Sequence, residues 1–88
     1  MYNYELKQSL EKEFFKLAKK NPRQLEIIHS KIHKILQNPE RYKNLRAPMQ
    51  HLKRVHIDKS FVLVFSIDLI NQKVIFEDYD HHDNIYRH

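Results

Sequence analysis

Arg54 and His56 stand in the run Lys53-Arg54-Val55-His56-Ile57, and His81, His82, Tyr86 and Arg87 crowd into the closing run Asp80-His81-His82-Asp83-Asn84-Ile85-Tyr86-Arg87-His88. Imidazole exchanges protons near neutral pH. A guanidinium grips phosphate through paired N–H donors, and a phenol offers either a proton or an aromatic face on which a nucleobase can stack. Together these groups meet the needs of one reaction, cleavage of RNA by its own 2′-hydroxyl. That reaction requires a base for the hydroxyl proton, cations for the pentavalent phosphorane and an acid for the departing 5′-oxygen. Taken alone the tail has plainer readings too, as the polar end of a strand or as a His/Asp metal site.

Lys43, Arg46, Lys53 and Arg54 form a basic cluster just before and within the same strand. Such a cluster attracts nucleic acid through counterion release, or is simply a solvated run of charge. Alternation distinguishes its members. Arg54, His56 and Asp58 point to one face of an extended strand, whereas Lys53, Val55 and Ile57 point to the other. His29 and His33 share a helix face at a spacing that metals use, but two imidazoles without a third ligand read as a solvated face.

The elements that must position these groups follow from periodicity. Met1 to Lys7 alternates, with Tyr2, Tyr4 and Leu6 on one side, and reads as a short edge strand. From Ser9, a potential N-cap, the spacing of Leu10, Phe14, Leu17 and Ala18 is helical, with Phe15 widening the stripe. Asn21-Pro22 stops one helix and starts a second, which buries Leu25, Ile28, Ile32, Ile35 and Leu36 and ends near Asn38-Pro39. A short turn segment and an extended connector, Leu45 to Pro48, lead to strands over Leu52–Ile57, Phe61–Asp68 and Lys73–Asp78. These bury Val55, Ile57, Phe61, Leu63, Phe65, Ile67, Val74 and Phe76, and Phe61 to Phe65 is apolar on both faces, as suits a central strand. The fold class expected is α+β: an N-terminal strand and a two-helix antiparallel hairpin packed on a mainly antiparallel sheet of about four strands.

Eighty-eight residues make one domain, 1–88. An apolar fraction of 41% supports a core, and 16 Lys and Arg against 11 Asp and Glu leave a charge of +5, which favours a phosphate-rich or acidic partner. Cys is absent, which excludes disulfides and thiolate zinc sites. Gly is absent too, which excludes glycine-rich phosphate loops, so side chains must meet any phosphate. No run approaches the length of a membrane span and no leader-like segment opens the chain, so the expected location is the cytoplasm.

In its order of strand, helical hairpin, Leu45-Arg46 connector, basic strand hairpin and closing His82-x-x-x-Tyr86, the chain resembles the RelE toxins of type II toxin–antitoxin systems. The likeness spans nearly the whole chain, with its specific part in residues 45–86. That family typically shows Arg-x-Arg before the turn, then an aromatic followed by Arg, and a closing His-Arg-x-x-Val-Tyr. Here His56 stands at the second Arg, Val62 follows Phe61 where Arg is usual, and His81-His82-Asp83-Asn84-Ile85-Tyr86 keeps the closing spacing with His82 in place of Arg.

The resemblance implies a metal-independent endoribonuclease without a cofactor, which enters the ribosomal A site, cuts the mRNA there and is neutralised by a cognate, acidic, RelB-like antitoxin that wraps it. It implies catalytic roles for Arg54 (phosphate), His56 and His82 (acid and base) and Tyr86 (stacking or donation), and RNA-binding roles for Lys43, Arg46, Lys53, His81 and Arg87. No metal ligand is assigned. Partners are the antitoxin, the ribosome and mRNA, with no membrane and no small molecule. Two further readings share the fold: a ParE-like gyrase poison, against which the His-rich closing run weighs, and a ribosome-binding toxin weakened in catalysis by the exchange at Val62.

Overall fold

The computed structural model describes residues 1–86. In chain order the elements are β1 (Asn3–Leu6), α1 (Gln8–Lys20), α2 (Pro22–Gln37), a 3-10 turn (Pro39–Arg41), β2 (Lys53–His56), β3 (Phe61–Asp68), β4 (Lys73–His81) and α3 (His82–Ile85). One sheet holds all four strands in the order β1-β4-β3-β2. β2 pairs with β3 and β3 with β4 in antiparallel fashion, and β1 joins β4 in parallel. The expected α+β architecture is what the chain adopts.

Asn21 ends α1 and caps α2, its side chain accepting the N–H of Gln24 at 3.2 Å with Pro22 in the first turn. The hairpin thus formed lays Leu10, Phe14, Ile28, Ile32, Ile35 and Leu36 on one face of the sheet, against Ile57, Leu63, Phe65, Val74, Phe76 and Tyr79. Gln24 is buried among them and donates to the Tyr79 hydroxyl at 2.9 Å. The other face has a small core of its own, in which Val62 and Val64 of β3 pack with Leu45 of the connector and Ile85 of α3, flanked by Met49 and Leu52. Burying each such side chain contributes about 1.5–3 kcal/mol. This second core therefore holds both the connector and α3 onto the sheet, and it explains why β3 is apolar on both sides.

Several local expectations need correction. Ser9 does not cap α1. The helix begins at Gln8 with Lys7 in the capping position and no side-chain cap. The Lys7 N–H is still bonded to Phe76 of β4 while its carbonyl already accepts from Leu10 and Glu11, so the chain passes from strand to helix without a spacer. Phe15 does not widen the buried stripe; its ring is exposed and lies 5.1 Å from Lys19 Nζ. β4 runs on to His81, and the closing segment then turns into α3 rather than continuing as a strand. Between Val64/Asp78 and Phe65/Phe76 the register shifts, leaving Glu77 as the extra residue of a β-bulge.

Candidate active site

Side chains paired across neighbouring strands share a face of the sheet. Arg54 pairs with Val64 and Val64 with Asp78; His56 pairs with Val62 and Val62 with Asp80. Because Val62 and Val64 belong to the second core, Arg54 and His56 rise on the face opposite the two long helices. The alternation of β2 put them together, and the packing of β3 decides which way they point.

There they meet the end of the chain. Ile85 is buried against the valines, and one residue later Tyr86 lies over Arg54, with its ring centroid 5.7 Å from the guanidinium carbon. Arg46, Arg54, His56 and Tyr86, with Asn44 and Met49, line a cleft of 590 Å³, within the roughly 300–1,000 Å³ of small-ligand sites. Among the described residues two guanidinium groups and no carboxylate line it, so its charge favours an anion. A second groove of 300 Å³, lined in part by Lys7, His51 and Asp78, shares Leu45 and Met49 with the first.

The hairpin turn before β3 is fixed by Asp58, whose Oδ1 accepts the N–H of Ser60 at 2.7 Å and of Phe61 at 2.9 Å. The Ser60 N–H, followed by that of Phe61, holds the Asp58 carboxyl below its ordinary pKa. The Ser60 carbonyl in turn accepts the N–H of His82 at 2.8 Å, which ties the start of α3 to the same turn. Asp80 adds a second tie, since its Oδ1 accepts both the His81 N–H at 2.7 Å and Asn84 Nδ2 at 3.0 Å.

The remaining candidates lie elsewhere. Lys53 is turned to the helix side, as its phase predicts, where its Nζ donates to the Tyr42 carbonyl at 2.9 Å and to Asn44 Oδ1 at 3.0 Å. Lys43 is exposed and gives its carbonyl to the Arg54 N–H at 3.1 Å. His81 pairs with Phe61 and packs edge-on against that ring, so it belongs to the helix side of the sheet. His82 does not line the cleft of Arg54; its ring lies 4.6 Å from that of His81, and its Nδ1 is 2.9 Å from Asp83 Oδ1. Arg87 lies outside the described residues. Asn44, Met49 and Asp83 carry no signal of their own in the sequence: the first two are connector residues without pattern, and Asp83 is one member of a His/Asp run.

No protein-family model matches the chain. A Methanosarcina mazei protein named "Uncharacterized protein" is 64% identical over 86 residues, covering 98% of this chain and all of its own length. A Methanocaldococcus jannaschii protein named "Putative toxin RelE4" is 55% identical over 87 residues, covering 99% of this chain and 93% of its own. Among solved structures, a chain of the toxin–antitoxin complex RelBE2 from Mycobacterium tuberculosis superposes with a TM-score of 0.76 at 21% identity, over 91% of this chain and 96% of that one. YafQ from E. coli does so with a TM-score of 0.71 at 15% identity, over 98% and 99%. At those identities the likeness speaks for the fold.

Proposed function

The chain belongs to the RelE family of toxins, and on that premise we propose that it is an endoribonuclease that cuts translated mRNA on the ribosome. The observation that carries this reading is the cleft that Arg54, lying under Tyr86, shares with His56 and Arg46. A phosphodiester entering it meets two fixed cations, an imidazole and an aromatic ring.

In the proposed reaction Arg54 holds the scissile phosphate and stabilises charge on its non-bridging oxygens, with Arg46 beside it. One of His56 and His82 takes the 2′-hydroxyl proton as that oxygen attacks phosphorus. The other delivers a proton to the 5′-oxygen as the P–O5′ bond breaks. The products are a 2′,3′-cyclic phosphate and a free 5′-hydroxyl, and every step uses side chains alone. Tyr86 stacks on a base next to the cut, for which it must lift from Arg54. His82 must swing from His81 toward the cleft, a movement that its exposure permits. Lys43, Lys53, His81 and Arg87 steer and hold RNA or ribosomal phosphates.

The protein partner that suits this surface is an antitoxin with an acidic, extended segment that orders on binding and covers Arg54 and Tyr86. The net charge of +5 and a cleft lining that holds no carboxylate among the described residues support that choice. The place of action is the cytoplasm, with the ribosome and its mRNA.

Primer extension on a reporter message after induction tests the reading. It expects growth arrest with new 5′ ends at fixed places within codons, lost when the start codon is removed. Intact messages accompanied by gyrase-dependent DNA breaks would favour a ParE-like gyrase poison. Arrested ribosomes on uncut messages would favour a toxin that only docks.

A further inference from the structure

His81, His82 and Asp83 each offer one ligand atom, and those atoms all lie within 4.8 Å of one another. The geometry points to a binding site for a divalent transition ion of the zinc class at these three side chains, with the remaining coordination positions filled by water. Occupation of the site takes the His82 imidazole out of use.

The chemistry of the donors fits. Neutral imidazole and carboxylate together suit zinc, nickel and copper ions. The Asp83 carboxylate reaches both rings, with Oδ1 at 2.9 Å from His82 Nδ1 and Oδ2 at 3.6 Å from His81 Nδ1. His81 Nδ1 accepts the Asp83 N–H at 3.2 Å, so this nitrogen carries a lone pair rather than a proton, and an ion bound there replaces that N–H as its partner. Tetrahedral ligands around zinc stand ~3.4 Å apart, given bonds of about 2.0–2.1 Å. The three donors therefore need only small side-chain rotations to close on an ion, and all three are exposed enough to make them. On a continuing strand, adjacent His81 and His82 would have pointed to opposite faces; the turn into α3 at His82 is what brings the rings to 4.6 Å of each other.

Binding stands on this geometry alone, whereas the inhibition that should follow rests on the proposed role of His82 in cleavage. Calorimetric titration of the full chain with zinc chloride tests the first. One equivalent should bind, and Asp83→Asn and His81→Ala should each weaken it at least tenfold, on the order of what even the loss of an outer partner costs a metal site. A His29→Ala/His33→Ala variant should bind as the parent does. Unchanged melting temperatures show that the variants are folded, and zinc-dependent shifts of the His81 and His82 imidazole resonances report the site directly. No binding by the parent, parental affinity in Asp83→Asn, or loss of binding in the His29/His33 variant would each overturn the site.

Ribosome-programmed cleavage with and without zinc tests the second. The parent should slow severalfold at a zinc concentration that saturates it, and Asp83→Asn should keep its own metal-free rate. A parent that binds zinc and cuts undiminished would overturn the inhibition and leave the site. A parent that binds zinc and never cuts, with or without it, would overturn the inhibition together with the proposed activity, again leaving the site.

Discussion

The phenol ring of Tyr86 rests 5.7 Å from the guanidinium carbon of Arg54, although one belongs to the end of the chain and the other to β2. Stacking of this kind contributes about 0.5–1 kcal/mol at an exposed site. It holds the ring ready without locking it, and a nucleobase can displace it at little cost.

If Tyr86 serves as a platform, Tyr86→Phe should keep cleavage within a few-fold of the parent. Tyr86→Ala should lower it by roughly 5- to 150-fold, corresponding to about 1–3 kcal/mol of lost stacking. Single-turnover cleavage of a programmed ribosome measures both. Equal losses in the two variants would instead make the hydroxyl the working group.

Arg54→Ala should weaken RNA binding, and the slope of log affinity against log salt should fall by about one, as expected when one phosphate contact disappears. Arg54→Lys should restore the salt slope but not the full rate, because an ammonium cannot reproduce the paired N–H donors of guanidinium. Filter binding across a salt series separates the two effects.

Ile85 holds α3 against Val62 and Val64, so truncation there should act at a distance. Ile85→Ala should cost roughly 2–5 kcal/mol of stability and reduce cleavage by releasing Tyr86. Val62→Arg restores the residue usual in the family, yet it places a charge where Val62 is fully buried. It should destabilise the fold by several kcal/mol, about 3 or more for an unpaired buried charge, rather than raise activity. Urea denaturation gives both values.

Two carboxyls should move stability with pH in opposite directions. Asp58 is held below its ordinary 3.8 by the Ser60 N–H first, so its contribution is present above that value and fades as the pH falls through the lowered one. Glu13 is raised above its ordinary 4.5 by burial first and then by Asp78 and Asp80; its contribution is full below that value and is lost as the pH rises through the raised one. Asp58→Asn should therefore melt lower than the parent at neutral pH, with the gap closing in acid. Glu13→Gln should melt higher at neutral pH and converge with the parent below pH 4.5. Circular dichroism melts from acid to neutral pH follow both.

The sequence carried the strands and the helical hairpin because their signals are local: the Asn21-Pro22 junction, the spacing of Ile28, Ile32 and Ile35, and the alternation that set Arg54 and His56 on one face. It did not carry α3, whose four residues contain one apolar side chain and no period to read. Nor could it show that β1 pairs in parallel with β4, a contact between the two ends of the chain. The separation of His82 from the Arg54 cleft has the same origin. By its composition the closing run reads as one strand end, whereas the chain turns at His82, and the two imidazoles meet beside the hairpin turn.

The most direct test of the account is the fate of a message on purified ribosomes programmed with a defined codon in the A site, exposed to the parent, Arg54→Ala and His82→Ala. The account predicts that the parent leaves 2′,3′-cyclic phosphate and 5′-hydroxyl ends within that codon, and that both variants cut at least on the order of a hundredfold more slowly. A message left whole by the parent, or cut at the parental rate by His82→Ala, would contradict it.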